Sequence, residues 1–337
     1  MINKIFEWLS PTWDQLQARR QALPHALLIE GRPGLGKTAL ALAFGQRLLC
    51  EGPAGDFACG RCEACGWFSQ WNHPDFRLIQ PEALDEAQPA ETESRRRDGE
   101  AASRQIRVDQ VRELQDFLAI GTHRRGLRVV LIRPAEAMNV AASNALLKSL
   151  EEPPPSTVFL LVSSMPDRLP PTIRSRCQRV VVPPAAGADA IPWLAAQGVS
   201  DPEAALAYAG NAPLAVLEDA ADRPARDALL RELAGAQLDP LALADACQGV
   251  APVRVIAWLQ KWAADLVLAR VAGRTRYHVR QLPALRALAE AVALEPLLRF
   301  ERALAACAAV AQHPLNARLF LEAMFIRYVQ LWEARHA

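Results

Sequence analysis

Residues 31–38 read Gly-Arg-Pro-Gly-Leu-Gly-Lys-Thr and fit G-x-x-x-x-G-K-[ST] at every fixed position. Few segments restrict a fold as tightly. Gly31, Gly34 and Gly36 let successive backbone N–H groups converge on phosphate oxygens. Lys37 would reach the β- and γ-phosphates, and the Thr38 hydroxyl would ligate Mg²⁺. The flanks suit the loop. Ala26-Leu27-Leu28-Ile29 is a short apolar run of buried-strand type, and Leu40, Phe44 and Leu48 follow at helical spacing. The segment predicts strand, glycine loop and helix in that order, with the capacity to hold ATP or ADP.

A second strand, Arg128-Val129-Val130-Leu131-Ile132, lies about a hundred residues on. In a phosphate-loop ATPase such a strand ends in the Asp that holds magnesium, beside a Glu that orients the attacking water. Here Arg133-Pro134-Ala135-Glu136 follows instead. A guanidinium repels Mg²⁺, and proline has no side chain that activates water. Glu136, displaced by about one helical turn, reads as an exposed or capping carboxylate. The chain is expected to hold a nucleotide without hydrolysing it efficiently, and to bind it weakly or with little dependence on magnesium.

Four of the seven cysteines crowd together. Cys50, Cys59, Cys62 and Cys65 form C-x8-C-x2-C-x2-C, with Gly60 and Gly66 supplying turns. Two adjacent C-x-x-C steps let the chain wrap one ion, and four thiolates match tetrahedral Zn²⁺ with no position left for water. A structural zinc is expected. Cys177, Cys247 and Cys307 stand alone and read as small core residues.

At 337 residues the chain is too long for one core and predicts two or three domains. The net charge of +1 argues against a large autonomous nucleic-acid face. No window approaches ~20 apolar residues, and the first residues lack a secretory pattern. A soluble cytoplasmic protein is the expectation.

Strand-like and helical segments alternate through the first half. After the cysteines, Phe76-Arg77-Leu78-Ile79 reads as a strand. The polar run 82–104, with Ser94-Arg95-Arg96-Arg97-Asp98-Gly99, reads as a flexible, solvated insertion. Helical spacing returns through Val108, Val111, Leu114 and Leu118. A helix from about Ala141 ends at Pro153-Pro154, a strand runs over 157–164, and Val180-Val181-Val182 forms the last strand. This order implies an α/β domain over 1–184 built on a parallel sheet, with the cysteine module at 50–65. Beyond residue 185 the strand signal vanishes. A small helical lid over 185–222 and an all-α domain over 223–337 are expected. The stripe Trp258, Leu259, Trp262 and Leu266 reads as core.

Three features together resemble the bacterial DNA polymerase III clamp-loader family of AAA+ ATPases. They are the cysteine module after the phosphate-loop helix, residues 144–154 (Asn-Ala-Leu-Leu-Lys-Ser-Leu-Glu-Glu-Pro-Pro), and Ser175-Arg176-Cys177. The similarity covers the whole chain. Motor subunits of this family carry Asp-Glu where this chain has Arg133-Pro134. They also carry a Gly-Ser-x-Arg lid pattern where it has Gly210-Asn211-Ala212-Pro213. The departures are similar to those of a stator-like subunit, although the loop at 31–38 is intact. The resemblance implies a component of the DNA polymerase III holoenzyme, itself without autonomous ATPase or polymerase activity, that helps load the sliding clamp onto primed DNA. It implies that Arg176 acts as an arginine finger in the ATP site of a neighbouring subunit, and that the helical tail builds a collar. Implied partners are the ATPase motor subunits, the delta subunit, the clamp and primer-template DNA. Two alternatives are an ATP-hydrolysing motor subunit of the same assembly and a free-standing AAA+ nucleic-acid remodeller.

Overall fold

In the computed structural model, residues 5–53, 55–84, 102–119, 126–235, 238–311 and 316–333 are described. The run Ser94-Arg95-Arg96-Arg97-Asp98-Gly99 and most of the insertion read at 82–104 lie outside them. The contacts divide the chain into two compact units, Met1–Asp189 and Ala190–Ala337.

The first unit is ordered α1 (Ser10–Ala18), β1 (Ala26–Glu30), α2 (Lys37–Leu49), α3 (Glu63–Ser69), β2 (Phe76–Ile79), α4 (Val108–Ala119), β3 (Arg128–Ile132), α5 (Val140–Glu151), β4 (Thr157–Ser163), α6 (Pro171–Arg174) and β5 (Gln178–Val181). The five strands lie in the order β2-β3-β4-β1-β5, every pair parallel. Every residue of β1, β3 and β4 is buried, which a parallel sheet with both faces covered requires. Alternate side chains divide between the faces. Leu28, Val130, Ile132, Phe159 and Leu161 pack with Val111 and Leu114 of α4 and Leu146 and Leu150 of α5. On the other face α2 lies close through Gly45, where an added Cβ would stand 3.4 Å from Val129 and 3.8 Å from Leu160.

Two boundaries differ from the sequence reading. Helix α5 starts at Val140 because the Asn139 side chain accepts from the Ala142 N–H at 2.8 Å, capping the first turn. Strand β5 begins earlier than its valines, at Gln178. It pairs with β1 alone, so its backbone satisfies one neighbour while Gln178 and Arg179 stay exposed.

The second unit is helical. Helix α7 (Gly187–Ala196) runs into it from the first. There follow α8 (Pro202–Tyr208), α9 (Pro213–Glu218), α10 (Arg223–Leu233), α11 (Pro240–Ala246), α12 (Pro252–Ala272), α13 (Leu282–Ala291), α14 (Leu294–Val310) and α15 (Ala317–Glu333). Pro202, Pro213, Pro240 and Pro252 each open a helix, where the missing N–H has no intrahelical partner to lose. Trp258, Leu259, Trp262 and Leu266 are buried in one apolar cluster running from Tyr208 to Leu331. Two polar contacts fix its centre: Trp262 Nε1–H donates to Tyr328 Oη at 2.9 Å, and that hydroxyl donates to the Leu233 carbonyl at 3.1 Å. Cys177 and Cys247 are buried and Cys307 is half-buried. No described helix is long and apolar enough to cross a membrane.

Candidate functional site

The loop at 31–38 leaves the carboxyl end of β1, which lies between β4 and β5, and enters α2. Gly36 caps α2 in the left-handed region at φ +89°. A Cβ there would stand 2.9 Å from the Phe6 ring, and one at Gly31 would stand 2.7 Å from the Val182 carbonyl oxygen. Both positions need glycine. The Phe6 and Trp8 rings stack at 4.7 Å, and Trp8 Nε1–H donates to the Leu35 carbonyl at 3.0 Å. The segment before β1 therefore braces the loop from outside. Thr38 is half-buried in the first turn of α2.

Lys37 is buried. Its ammonium donates to the Arg32 carbonyl at 2.6 Å and to Ser164 Oγ at 2.9 Å. Burial lowers its pKa to about 8, against the opposing pull of the Glu136 charge. A glycine-lined backbone loop with an ammonium beside it suits the charge of a polyphosphate.

Arg133 and Pro134 follow β3, as the sequence requires, but Glu136 is not exposed. It is half-buried in a short 3-10 turn over Ala135–Ala137, which carries it back to the end of β4. There Oε1 accepts from the Ser164 N–H at 2.9 Å. The capping part of the expectation holds, and what it caps is a loop amide 28 residues away. Oε2 is buried and accepts no hydrogen bond among the described residues. Ser164 thus touches both charges. Sequence reasoning missed this residue; its signal was a hydroxyl directly after a fully buried strand.

Cys50, Cys59, Cys62 and Cys65 come together, all four sulfurs within 4.8 Å of one another. Cys50 follows the last turn of α2, Cys62 caps α3, and Cys65 lies in its first turn. Cys50 and Cys62 sulfurs stand 3.9 Å apart. A tetrahedral Zn–S₄ site with bonds of about 2.3 Å places sulfurs about 3.8 Å apart. Backbone N–H groups point at the sulfurs: Cys59 N–H to Cys50, Cys62 N–H to Cys59 and Cys65 N–H to Cys62, at 3.2–3.4 Å. Those of Arg61 and Cys62 pull the Cys59 thiol down to about 6. The cluster can hold a metal ion.

Arg176 follows α6. Its guanidinium donates to the Thr172 carbonyl at 2.9 Å and pairs with Glu151, the last residue of α5, at 2.6 Å. Its side chain keeps 34% of its surface exposed. Ser175 Oγ donates to the Thr172 carbonyl and Cys177 is buried beneath, pushed up to about 12 by burial.

Residues 11–186 match the sequence profile of a family described as "DNA polymerase III, delta subunit". The chain belongs to the clamp-loader delta-prime family of DNA polymerase III. It is 42% identical to DNA polymerase III subunit delta' of Pseudomonas aeruginosa over 214 residues, which is 62% of this chain and 60% of that protein. To the Escherichia coli subunit delta' it is 35% identical over 204 residues, covering 60% and 56%. The matches thus span less than two thirds of these relatives' lengths. Among solved structures, a DNA polymerase III gamma subunit-related protein of Thermotoga maritima aligns over 95% of this chain and 99% of its own. That alignment has a TM-score of 0.44 and 17% identity.

Proposed function

We propose that this chain is the stator-like delta-prime subunit of a clamp loader, helping to load the sliding clamp onto primer-template DNA. One observation carries the reading: the phosphate loop is intact, while the strand β3 is followed by Arg133-Pro134 in place of the Asp-Glu pair. The site then binds ATP or ADP but lacks the carboxylate pair that drives hydrolysis. A steady-state turnover near ~1 s⁻¹ by the isolated chain, abolished by Lys37→Ala, would make it a motor subunit instead. Its partners are the ATPase motor subunits, the delta subunit and the clamp. Residues 185–222 form a lid and 223–337 the collar segment. The four cysteines hold one structural zinc, so elemental analysis should return about one zinc per chain.

Arg176 is the finger that enters the neighbouring subunit's ATP site. Its tie to Glu151 is a partly exposed ion pair, worth about 0–1 kcal/mol. Exchanging that carboxylate for a γ-phosphoryl oxygen is therefore cheap. The charge it meets develops mainly in the transition state, so its loss should lower turnover more than nucleotide affinity. Clamp-stimulated ATP hydrolysis by the assembly reconstituted with Arg176→Ala should fall by about 10³-fold or more at the adjacent site. Normal turnover and loading, with assembly confirmed by gel filtration, would reduce Arg176 to a surface arginine.

A further inference from the structure

Three acceptors hold the Arg176 guanidinium: the Thr172 carbonyl at 2.9 Å, Ser175 Oγ at 3.4 Å and Glu151 Oε1 at 2.6 Å. Thr172 and Ser175 belong to the same short turn as Arg176, so those bonds move with it. Glu151 belongs to α5, and among the described residues it alone ties the guanidinium to another helix. α6 is seated on α5 through Ile173, which is buried in one cluster with Leu146 and Leu150. The spacing of the two backbones is thereby fixed, while both charged side chains stay partly exposed and can change partner.

Glu151 stands where an acid is out of place. It is the last residue of α5, Glu152 caps the same end, and Pro153-Pro154 stop the helix there. The unpaired carbonyls at a helix C-terminus carry partial negative charge, which favours cations and disfavours carboxylates. Lys148 in the last turn and Arg176 supply the positive charge. Two costs follow when the guanidinium leaves for a phosphate. The ion pair is lost, and Glu151 is left without its cation at the negative end of α5, close to a polyphosphate of like charge. Both oppose the transfer. We propose that Glu151 is a brake on the arginine finger, a positioning residue that keeps Arg176 on its own subunit until the neighbouring ATP is near enough to outcompete it. The inference rests on the arginine-finger reading above and adds a regulation to it. Incomplete apposition of the two subunits leaves Arg176 on Glu151, and hydrolysis waits.

The test is steady-state ATP hydrolysis by the reconstituted assembly, without clamp or DNA, carrying wild type, Glu151→Gln, Arg176→Ala or both substitutions. With either residue at 151, subtracting the rate measured with Arg176→Ala isolates the turnover that Arg176 supplies. Glutamine keeps the size of the side chain and removes its charge. The Arg176-dependent turnover should therefore rise about two- to fivefold, the range that a partly exposed ion pair can contribute. Glu151→Ala should give a rise of the same kind. A merely structural role for Glu151 would lower that turnover or leave it unchanged. An Arg176-dependent rate in both Glu151 variants equal to or below that of wild type would overturn the inference and leave the finger standing. If Arg176→Ala alone changed nothing, with assembly confirmed by gel filtration, the finger reading would fall and this inference with it.

Discussion

Each unit sets a carboxylate near a basic group, half-buried in the first and fully buried in the second, and the two are built differently. In the first unit Glu136 uses one oxygen on the Ser164 amide, and Lys37 spends its ammonium on a carbonyl and a hydroxyl. In the second, fully buried Asp265 of α12 is saturated. It accepts from the backbone N–H of Arg276 at 2.7 Å, Tyr277 at 2.9 Å and His278 at 2.6 Å, and it bonds His278 Nδ1 at 2.8 Å. These bonds pin the chain between α12 and α13, and they hold the Asp265 carboxyl below the usual range against the opposing effect of burial. His278 lies edge-on to Tyr208 and Trp262 at 5.4 and 5.3 Å. A carboxylate with every acceptor position filled by its own chain is a fastener. One that leaves an oxygen without a hydrogen bond among the described residues is not.

Substitution should separate the two. The largest effect belongs to Asp265→Ala, which strands three backbone donors and a buried histidine. It should destabilise the chain by about 3–5 kcal/mol, measured by urea denaturation. A loss below about 1 kcal/mol would mean that α12 and α13 are held by apolar packing alone. The pH dependence comes next. Burial holds His278 below the usual histidine value of about 6.5, against the pull of Asp265. The unfolded chain therefore takes up a proton first as pH falls, so stability is full above about 6.5 and declines below it. His278→Gln should flatten that limb in melts between pH 7 and 5; an unchanged slope would place the titration elsewhere. Lys37→Met should have the smallest effect on stability, within about 1.5 kcal/mol of wild type. It trades a desolvated ammonium for an apolar side chain of similar volume, while nucleotide binding is lost. If Lys37→Met unfolded the protein, the lysine would be a fastener like Asp265 and the contrast would fail.

The parts legible in the sequence were those with local signals. The five strands showed as apolar runs, the loop at 31–38 as fixed glycines, and the cysteine cluster as two C-x-x-C steps that fold within one turn of each other. Glu136 was misjudged because its environment is supplied by Ser164, a residue just past the end of β4, and spacing along one segment says nothing about the next. The pairing of Arg176 with Glu151 was hidden likewise: 25 residues separate them and each looks like an ordinary surface charge. Asp265 stands in the middle of an apolar helix stripe. Its charge there was a visible anomaly, but its three amide partners lie in a loop without sequence character.

The strand order carries a consequence for how the protein is made. β1 leaves the ribosome first, yet its two neighbours are β4 and β5, the last strands of the unit. At about 5–20 residues per second, the roughly 130 residues between β1 and β4 take about 6–25 s to emerge. Throughout that interval Leu27, Leu28 and Ile29 have no native strand beside them. β2 and β3 can pair meanwhile, leaving the middle of the sheet to close last. The nascent chain is thus exposed longest at the strand that will carry the phosphate loop, and a chain cut short before residue 157 should be insoluble rather than merely incomplete.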